Sequence, residues 1–429
     1  MTQTQPAQQQ QSYRWVILVA MCMIGFLTIG TRSTVSSFLK TIVADLGTNR
    51  ETISFVIAAN IWLSGLLQPF AGYIMDRFGA RGLFTASVAL YGLGIGLIGL
   101  THSVWYLLVI YGVLVGAASA GASMSLTNAL LAQWFKDWRA LAMSINNAGG
   151  AVGTLFLVGT MSPWLLSSFG WRLSHIYLGA AVLLLATPLT LCIPRRRAAS
   201  EGGPTPAGLQ HTVHGPLETQ SWSAALRSTP LWQLNGSYFV CGMTVSLFSF
   251  HLIPFATDRG FTLETAARAF GLMAMCSVAG SLLSGVISDR LGRKNVLALA
   301  YLIRAGTFAQ LLLWHHEMAL YVFAVVGGLV WLATPPSTMA LTGEIYGLRS
   351  LGTLGSVSLL AHQIGGGVSV WLAGKLYDLT GSYDIAFTLA TIALLAASLI
   401  SFGIAERRYS VRYMTPAPST VGDSIGTRQ

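Results

Sequence analysis

The chain has 429 residues, of which 53% are hydrophobic and only 9% are charged, and its mean hydropathy is +0.61. Soluble domains carry about 25% charged residues, so this composition excludes a protein that is mostly surrounded by water. The net charge of +10 suggests nucleic acid at first sight, but the placement of the basic residues, described below, indicates membrane topology instead.

Residues 1–13 are rich in glutamine and lack both a basic start and a cleavage site, which predicts a disordered cytoplasmic tail rather than a signal peptide. A membrane-spanning helix needs about 20 apolar residues. In the first half of the chain, the segments that qualify are 14–39, 51–75, 81–101, 104–134, 139–168 and 172–194. In the second half they are 231–256, 265–288, 294–314, 318–345, 350–376 and 384–405.

The segment between the sixth and seventh predicted helices is polar and rich in Gly and Pro, which is typical of a linker. The sequence therefore predicts an all-α integral membrane protein with twelve transmembrane helices in two pseudo-symmetric six-helix bundles. Its predicted parts are the tail 1–13, an N-terminal bundle 14–194, a cytoplasmic linker 195–228, a C-terminal bundle 229–406 and a cytoplasmic tail 407–429.

Basic residues are distributed unevenly between the two faces of this topology. With the N-terminus inside, 17 Lys and Arg lie on one face and 6 on the other, while Arg32 and Arg304 lie within the membrane. Positive residues stay on the cytoplasmic side, so we expect both termini to be cytoplasmic. The protein is expected in the cell (inner) membrane as a multi-pass, monomeric protein that binds no nucleic acid.

One motif occurs twice. Gly72-Tyr-Ile-Met-Asp76-Arg77-Phe-Gly79 returns as Gly285-Val-Ile-Ser-Asp289-Arg290-Leu-Gly292, 213 positions later. The same offset relates Asp45 to Asp258 and Glu51 to Glu264. A repeat without gaps over half the chain indicates that one helical bundle was duplicated.

The two charged loops resemble the signature of the major facilitator superfamily, whose transporters expose a central site to either side of the membrane in turn. The resemblance implies that the two loops gate the cytoplasmic ends of the helices. The gating residues it implies are Gly72, Asp76, Arg77, Gly79, Arg81, Gly285, Asp289, Arg290, Gly292 and Arg293.

A narrower resemblance concerns residues 134–142, followed by Gly149 and Gly150, which are similar to the monocarboxylate and oxalate–formate branch of that superfamily. Arg32 in the first helix also suits this branch. The chain departs from the branch at Ser281, where such carriers typically have an arginine. The resemblance therefore implies a carboxylate substrate without assigning one.

The candidate binding residues are basic or neutral, because none of the fifteen acidic residues lies near the middle of a predicted helix. Ionisable groups within a membrane are costly and are therefore functional candidates. Arg32 offers a fixed charge and paired donors for a carboxylate, and His251 is predicted to face it across the central cavity. The alternative for Arg32 is a side chain that reaches the membrane interface.

Other polar side chains complete the predicted site. His362 is a candidate proton carrier because imidazole titrates near neutral pH, and Gln363 follows it. Asn60 and Gln68 share one face of the second helix, and Asn146 lies in the fifth. Hydrogen bonding between helices is the alternative for all of these. Arg304 is interpreted first as a structural partner of nearby carbonyl groups.

The sequence thus predicts a secondary transporter of a small organic anion, with a monocarboxylate favoured, that works by proton symport or by exchange. The alternatives are an exporter of neutral or amphipathic compounds and, in another class, a membrane sensor or enzyme. The four cysteines have no metal-ligand spacing, so no metal or disulfide is expected. The predicted helices contain no nucleotide-binding loop and no nucleophile–base pair, so no other cofactor is expected and the chain is not predicted to be an enzyme.

Overall fold

The computed structural model describes residues 5–135, 139–194, 216–217, 222–347 and 351–410. These residues are almost entirely helical, which confirms the predicted all-α class. Ten segments are long and apolar enough to cross a membrane. They are Tyr13–Asp45, Arg50–Met75, Ala80–Ile98, Val104–Leu131, Leu141–Cys192, Thr229–Asp258, Leu263–Ser284, Arg293–Leu313, Glu317–Tyr346 and Asp384–Phe402.

Two features explain why ten segments are found where twelve helices were predicted. Leu141–Cys192 has 52 residues, about twice the length of one crossing. It contains a non-helical residue, Gly170, with φ +67°. The long helix Leu351–Thr380 has 30 residues but is not among the ten, and it carries the polar pair His362 and Gln363.

The α-helices of the first half are α1 (Gln5–Ser33), α2 (Val35–Asp45), α3 (Arg50–Phe78), α4 (Ala80–Ile98), α5 (Val104–Leu107), α6 (Gly116–Gly121), α7 (Met124–Trp134), α8 (Arg139–Phe156), α9 (Ser162–Ala181) and α10 (Thr187–Leu189). Those of the second half are α11 (Trp222–Ala225), α12 (Thr229–Asp258), α13 (Leu263–Leu291), α14 (Arg293–Leu313), α15 (Glu317–Val322), α16 (Gly328–Trp331), α17 (Thr334–Tyr346), α18 (Leu351–Thr380), α19 (Asp384–Phe402) and α20 (Glu406–Tyr409). Short π-helical segments occupy Leu108–Val115, Leu157–Met161, Val182–Ala186 and Phe323–Gly327, and Thr190–Cys192 is a 3₁₀ turn.

The sequence repeat is also present in the backbone. Gly79 ends α3 with φ +93°, and Gly292 ends α13 with φ +88°. Glycine is needed at both positions because a side chain rarely adopts this left-handed conformation. The repeated motif therefore builds the same tight turn twice, between α3 and α4 and between α13 and α14.

Two buried cores follow the two halves of the chain. Among the described residues, one core is built from residues 17–193, to which the second half contributes only Phe250 and Val370. The other is built from residues 225–404, to which the described first half contributes only Val158. Within the halves α1 packs on α8 and α12 on α18, while between the halves α3 packs on α18 and α8 on α13.

The helix ends define two faces of the molecule. The Arg50 end holds Asp45, Arg50, Asp258, Thr380 and Asp384, and the Arg77 end holds Arg77, Ala80, Arg290, Arg293 and Tyr346. Each half also contains a charge pair of its own at the Arg50 end. Arg172 pairs with Asp45 in the first half, whereas Arg259 pairs with Asp384 in the second.

Gly153→Ala is expected to lower the melting temperature of the purified protein. A Cβ atom at this position would lie 2.1 Å from the backbone oxygen of Phe26, so α1 must move away from α8. Overpacking of this kind costs about 1–3 kcal/mol. The matched control is Gly306→Ala, because a Cβ there meets no atom within 4 Å and alanine favours the helix. Equal melting temperatures for the two variants would contradict the close contact of α1 and α8.

Candidate functional site

A central cavity of about 360 Å³ lies between the two halves of the chain. From the first half it is lined by Thr28, Ile29, Arg32, Ser33, Ile61, Ser64, Gln68, Tyr91, Ser119, Ala122, Ser123, Met124 and Ser125. From the second half it is lined by Val245, Ser246, Ser249, Phe250, Leu359, His362 and Gln363. The lining contains no aspartate or glutamate among the described residues, so the cavity has a positive rather than a negative character.

Arg32 supplies the fixed charge of this cavity. It lies in the last turn of α1. No hydrogen bond or ion pair joins its guanidinium to another side chain or backbone group in the part of the chain that the structure describes. An Arg without a carboxylate partner has its donors available for an anion, because the guanidinium carries five N–H donors and stays charged.

Tyr91 lies beside this charge and was missed by the sequence analysis. Its ring is 98% buried, and its hydroxyl donates to the backbone oxygen of Thr28 at 3.0 Å. Tyr91 belongs to the third predicted helix, in which the sequence analysis named no binding residue. Its long side chain nevertheless reaches the cavity, which the apolar pattern of α4 does not reveal.

His362 and Gln363 lie on the opposite wall, on α18. The imidazole packs on the ring of Tyr238 with 4.8 Å between centroids, and its Nδ1 lies 3.3 Å from Gln363 Oε1. Ser246 and Ser249 of α12 also line the cavity. These two serines are three positions apart in a span with few charges, which is the signal that could have identified them.

Gln68 belongs to the polar face of α3 and lines the cavity, as does Ser64 one turn before it. The amide oxygen of Gln68 and the hydroxyl of Ser123 have no hydrogen-bond partner in the described chain. Buried polar groups without partners are uncommon and are available to a bound molecule or to water. The neutral polar groups of the cavity are thus arranged around the single arginine.

Three of the predicted binding residues lie outside this cavity. Asn60 is buried and its amide donates to the backbone oxygen of Tyr111 at 2.7 Å. Asn146 is fully buried and donates to Asn128 Oδ1 at 2.9 Å. His251 is also fully buried and does not face Arg32. The first two join helices, and His251 belongs to the cluster described next.

An ion-pair cluster closes the cavity at the Arg50 end. Arg50 donates from two nitrogen atoms to the carboxylate of Asp258, at 2.5 and 3.0 Å, so the pair is bidentate across the two halves. Lys40 lies 2.8 Å from the same carboxylate. The Arg50 guanidinium also stacks on the ring of Tyr377, 3.6 Å from its centroid. We call Lys40, Arg50, Asp258, Tyr377 and Tyr383 the gate cluster.

His251 contacts the gate cluster through the hydroxyl of Tyr383. Arg50 donates to the Tyr383 hydroxyl at 2.9 Å, and that hydroxyl lies 3.1 Å from His251 Nδ1. The second ring nitrogen lies 3.0 Å from the backbone oxygen of Val370. Burial raises the pKa of the Tyr383 phenol well above its ordinary value despite the neighbouring Arg50, so Tyr383 remains protonated and donates to the imidazole.

Further bonds across the halves occur at the same end. Asp378 on α18 accepts from the backbone N–H groups of Arg50 and Glu51, at 3.1 and 2.6 Å, and so caps the first turn of α3. Trp371 donates to the Glu51 carboxylate at 3.2 Å. The structure is therefore closed at the Arg50 end.

At the Arg77 end, the predicted gating residues occupy the two tight turns. Arg77 donates to the Tyr73 hydroxyl at 2.5 Å, and Arg290 is exposed. Arg81 lies in the first turn of α4, and Gly72 lies near the end of α3. Gly285 lies within α13, and the side chains of Asp76 and Asp289 lie outside what the structure describes.

Arg293 has an acidic partner from the tenth predicted helix. Its Nε donates to Glu344, whose other oxygen accepts from Ser410 at 2.7 Å. Its backbone N–H donates to the carboxylate of Glu406 at 2.9 Å, which caps α14. At the Arg77 end, Arg293 of the motif is thus held by Glu344 and Glu406, which come later in the sequence. The motif by itself does not predict these partners.

Two bundles around a polar cavity that is closed at one end define a transporter of small molecules. A family model described as Major Facilitator Superfamily matches residues 21–369 and, in a second alignment, residues 234–416. The chain belongs to the major facilitator superfamily, as its repeated motif predicted. It is a multi-pass membrane protein.

Individual proteins support this assignment. Monocarboxylate transporter 12-B of Danio rerio is 24% identical over 371 residues, which cover 81% of this chain and 77% of that protein. The probable galactarate/D-glucarate transporter GudP of Bacillus subtilis (strain 168) is 23% identical over 436 residues, with 92% of each chain covered. A crystal structure of a bacterial homologue of the human lysosomal transporter Spinster, inward-facing and occupied, matches the fold with a TM-score of 0.69 at 18% identity, covering 94% of this chain and 99% of that one.

Proposed function

We propose that this chain is a secondary transporter that moves a small organic anion, with a monocarboxylate favoured, by alternating access. The observation that carries the proposal is the unpaired Arg32 in a central cavity whose described lining holds no acidic residue. A cation within a membrane costs about 2.5–3.5 kcal/mol on insertion scales. A substrate carboxylate offsets this cost by pairing with Arg32, whereas a cationic substrate increases it.

The binding set that we propose is Arg32 and Tyr91 on one wall, His362 and Gln363 on the other, and Gln68 between them. Asn60, Asn146 and His251 are left out because their polar atoms bond within the protein. The two named relatives transport, by their names, a monocarboxylate and a sugar diacid. Both substrates are organic acids, which agrees with a fixed cation in the cavity.

The proposed architecture keeps twelve crossings in two bundles, 14–194 and 229–406. Leu141–Cys192 counts as two crossings that meet at Gly170, and α18 is counted because it lines the cavity and packs between α3 and α12. The excess of Lys and Arg assigns the Arg77 end to the cytoplasm. The structure is then inward-facing, and its outer gate is closed by Arg50 and Asp258. The proposed transporter works in the membrane as a monomer.

Uptake of radiolabelled short monocarboxylates into proteoliposomes tests this function. We expect saturable uptake that an imposed proton gradient increases, because the protein is proposed to carry an anion together with a proton. Accumulation that requires a preloaded anion instead identifies exchange. Absence of any uptake by folded, inserted protein contradicts the proposed substrate class.

Export of neutral or amphipathic compounds is the second candidate. The observation that favours it is the apolar part of the cavity lining, formed by Ile29, Ile61, Met124 and Phe250. Such an exporter lowers the cellular accumulation of uncharged drugs in cells without other pumps. Arg32 should then be dispensable, which separates the two candidates.

A further inference from the structure

A completely buried arginine lies outside the transport cavity. Arg304 on α14 is completely buried. Its NH2 group donates to the backbone oxygens of Trp331 and Val330 at 2.7 and 3.2 Å. These carbonyls end α16, where the helix breaks before α17, and free carbonyls at a helix end attract a cation. Part of the positive charge is balanced in this way.

The rest of the guanidinium faces neutral side chains. NH1 lies 3.4 Å from Thr244 Oγ1 and 3.6 Å from Cys241 Sγ, while Nε has no partner among the described residues. No aspartate or glutamate of the described chain pairs with Arg304. Burying an unbalanced cation in a membrane costs free energy, so the cation favours the ionised form of a neighbouring acid.

Cys241 is the acid best placed to do so. It is fully buried, and its sulfur lies 3.0 Å from the hydroxyl of Thr334. The other acidic groups of this region are the phenols of Tyr238, one turn before Cys241 on α12, and of Tyr301, whose ring centroid lies 6.0 Å from Arg304 Cζ. Free thiols ionise near pH 8.5 and phenols near pH 10, so the thiol ionises first on chemical grounds. A thiolate here would receive hydrogen bonds from Arg304 and Thr334.

The residue that links this region to the cavity is His362. It lines the cavity, and its ring packs on Tyr238, one turn before Cys241 on α12, with 4.8 Å between the ring centroids. The approach of α18 to α12 is close because Gly242 has no side chain, and a Cβ there would lie 1.8 Å from the His362 oxygen. When Nδ1 of His362 donates to Gln363, its other ring nitrogen is free to accept a proton.

The repeat places this cluster at an informative position. Cys241 and Arg304 lie 213 residues after Thr28 and Tyr91, which touch each other in the wall of the cavity. The same two positions of the duplicated bundle therefore hold neutral partners in the wall of the cavity in one half and an ionisable pair in the other. This asymmetry suits a division between substrate binding and proton binding.

We propose that Cys241, paired with Arg304, carries the coupling proton and exchanges it with the cavity through His362. On release the S–H bond breaks, the sulfur keeps the electron pair as a thiolate, and the proton joins the free nitrogen of His362. The imidazolium then gives the proton to water in the cavity, and loading reverses these steps. An anion bound near His362 stabilises the imidazolium, so anion and proton load together. This proposal rests on the transport function proposed above.

The first test needs no transport assay. In a protein whose other cysteines (Cys22, Cys192 and Cys276) are alanine, the ultraviolet absorbance of the thiolate is recorded against pH, with the cysteine-free protein as the blank. We expect thiolate absorbance at neutral pH. Absorbance that appears only at the alkaline pH of an ordinary thiol overturns the proposal.

The second test uses Cys241→Ser in proteoliposomes. Serine keeps the hydrogen bond to Thr334 but does not ionise, so a purely structural role predicts normal behaviour. We expect loss of proton-driven accumulation while counterflow exchange of the substrate persists, and Cys276→Ser should keep both. Proton-driven accumulation at the wild-type level in Cys241→Ser overturns the proposal. If the wild type lacks counterflow, the transport function fails instead, and the absorbance experiment still decides whether Cys241 ionises.

Discussion

Replacing Arg32 by glutamine is expected to abolish saturable uptake of the organic anion without preventing folding. Arg32 forms no hydrogen bond or ion pair in the described chain, so its loss removes no internal contact and relieves the cost of an unpaired cation. A hydrogen bond to a charged group contributes about 1.5–3 kcal/mol, and Arg–carboxylate pairs commonly make two. Loss of both corresponds to at least about a hundredfold weaker binding. Uptake kinetics and direct binding in detergent measure this change.

Two further variants make this result specific. Arg32→Lys keeps the charge but loses the planar pair of donors, so intermediate affinity is expected. Arg268→Gln is the matched control, because Arg268 is exposed on α13, lies away from the cavity and should retain normal uptake. Normal uptake by a well-inserted Arg32→Gln protein would remove Arg32 from the binding site and favour the export of uncharged compounds.

The fold followed from the sequence because its signals are periodic and repeated. The 213-residue offset predicted two equivalent turns, and Gly79 and Gly292 adopt nearly the same left-handed conformation. Helix caps repeat with the same offset, since Asn49 accepts from Thr52 and Thr262 accepts from Thr265. Local chemistry decides each of these features, so no knowledge of distant contacts was needed.

The site could be predicted only in part. A helical pattern gives the depth of a residue in the membrane and the polar face of its helix, but it does not identify the side chains that the residue contacts. His251 was predicted to face Arg32 across the cavity, yet its ring bonds to Tyr383, which is 132 positions away. Asn146 lies on a polar face that meets Asn128 of the preceding helix instead of the cavity. Side-chain direction around the helix axis depends on packing that one sequence does not specify.

For Arg304, the sequence predicted the backbone partners but missed a side-chain partner. The expectation that it reaches inward to carbonyl groups agrees with its bonds to Val330 and Trp331. Its contact with Cys241 was not anticipated, because the cysteine was interpreted as apolar packing. A cysteine and an arginine 63 positions apart have no local signal, and only the close approach of α12 and α14 joins them.

Asp258→Asn is expected to open the Arg50 end. The Arg50 and Asp258 side chains are only 10% and 20% exposed, so removal of the carboxylate charge leaves Arg50 and Lys40 close together without an anion. Breaking a buried pair costs up to about 3–5 kcal/mol, and a third of that cost already shifts a two-state equilibrium about tenfold. When the gate opens, water hydrates Arg50, so the cost falls on the closed state alone. Spin labels on exposed Ala44 and Leu379 report the change as longer distances between the halves.

Asp384→Asn is the matched control, because Asp384 also pairs with an arginine at the Arg50 end. That arginine, Arg259, belongs to the same half of the chain, so the pair does not bridge the gate and the label distances should not change. Exchanging the charges in Arg50→Asp/Asp258→Arg should restore part of the closed population, because the pairing rather than either charge joins the halves. Unchanged distances in Asp258→Asn would assign closure of this end to the Asp378 cap and the Trp371–Glu51 bond instead, since these contacts also cross the gate and keep their partners in that variant.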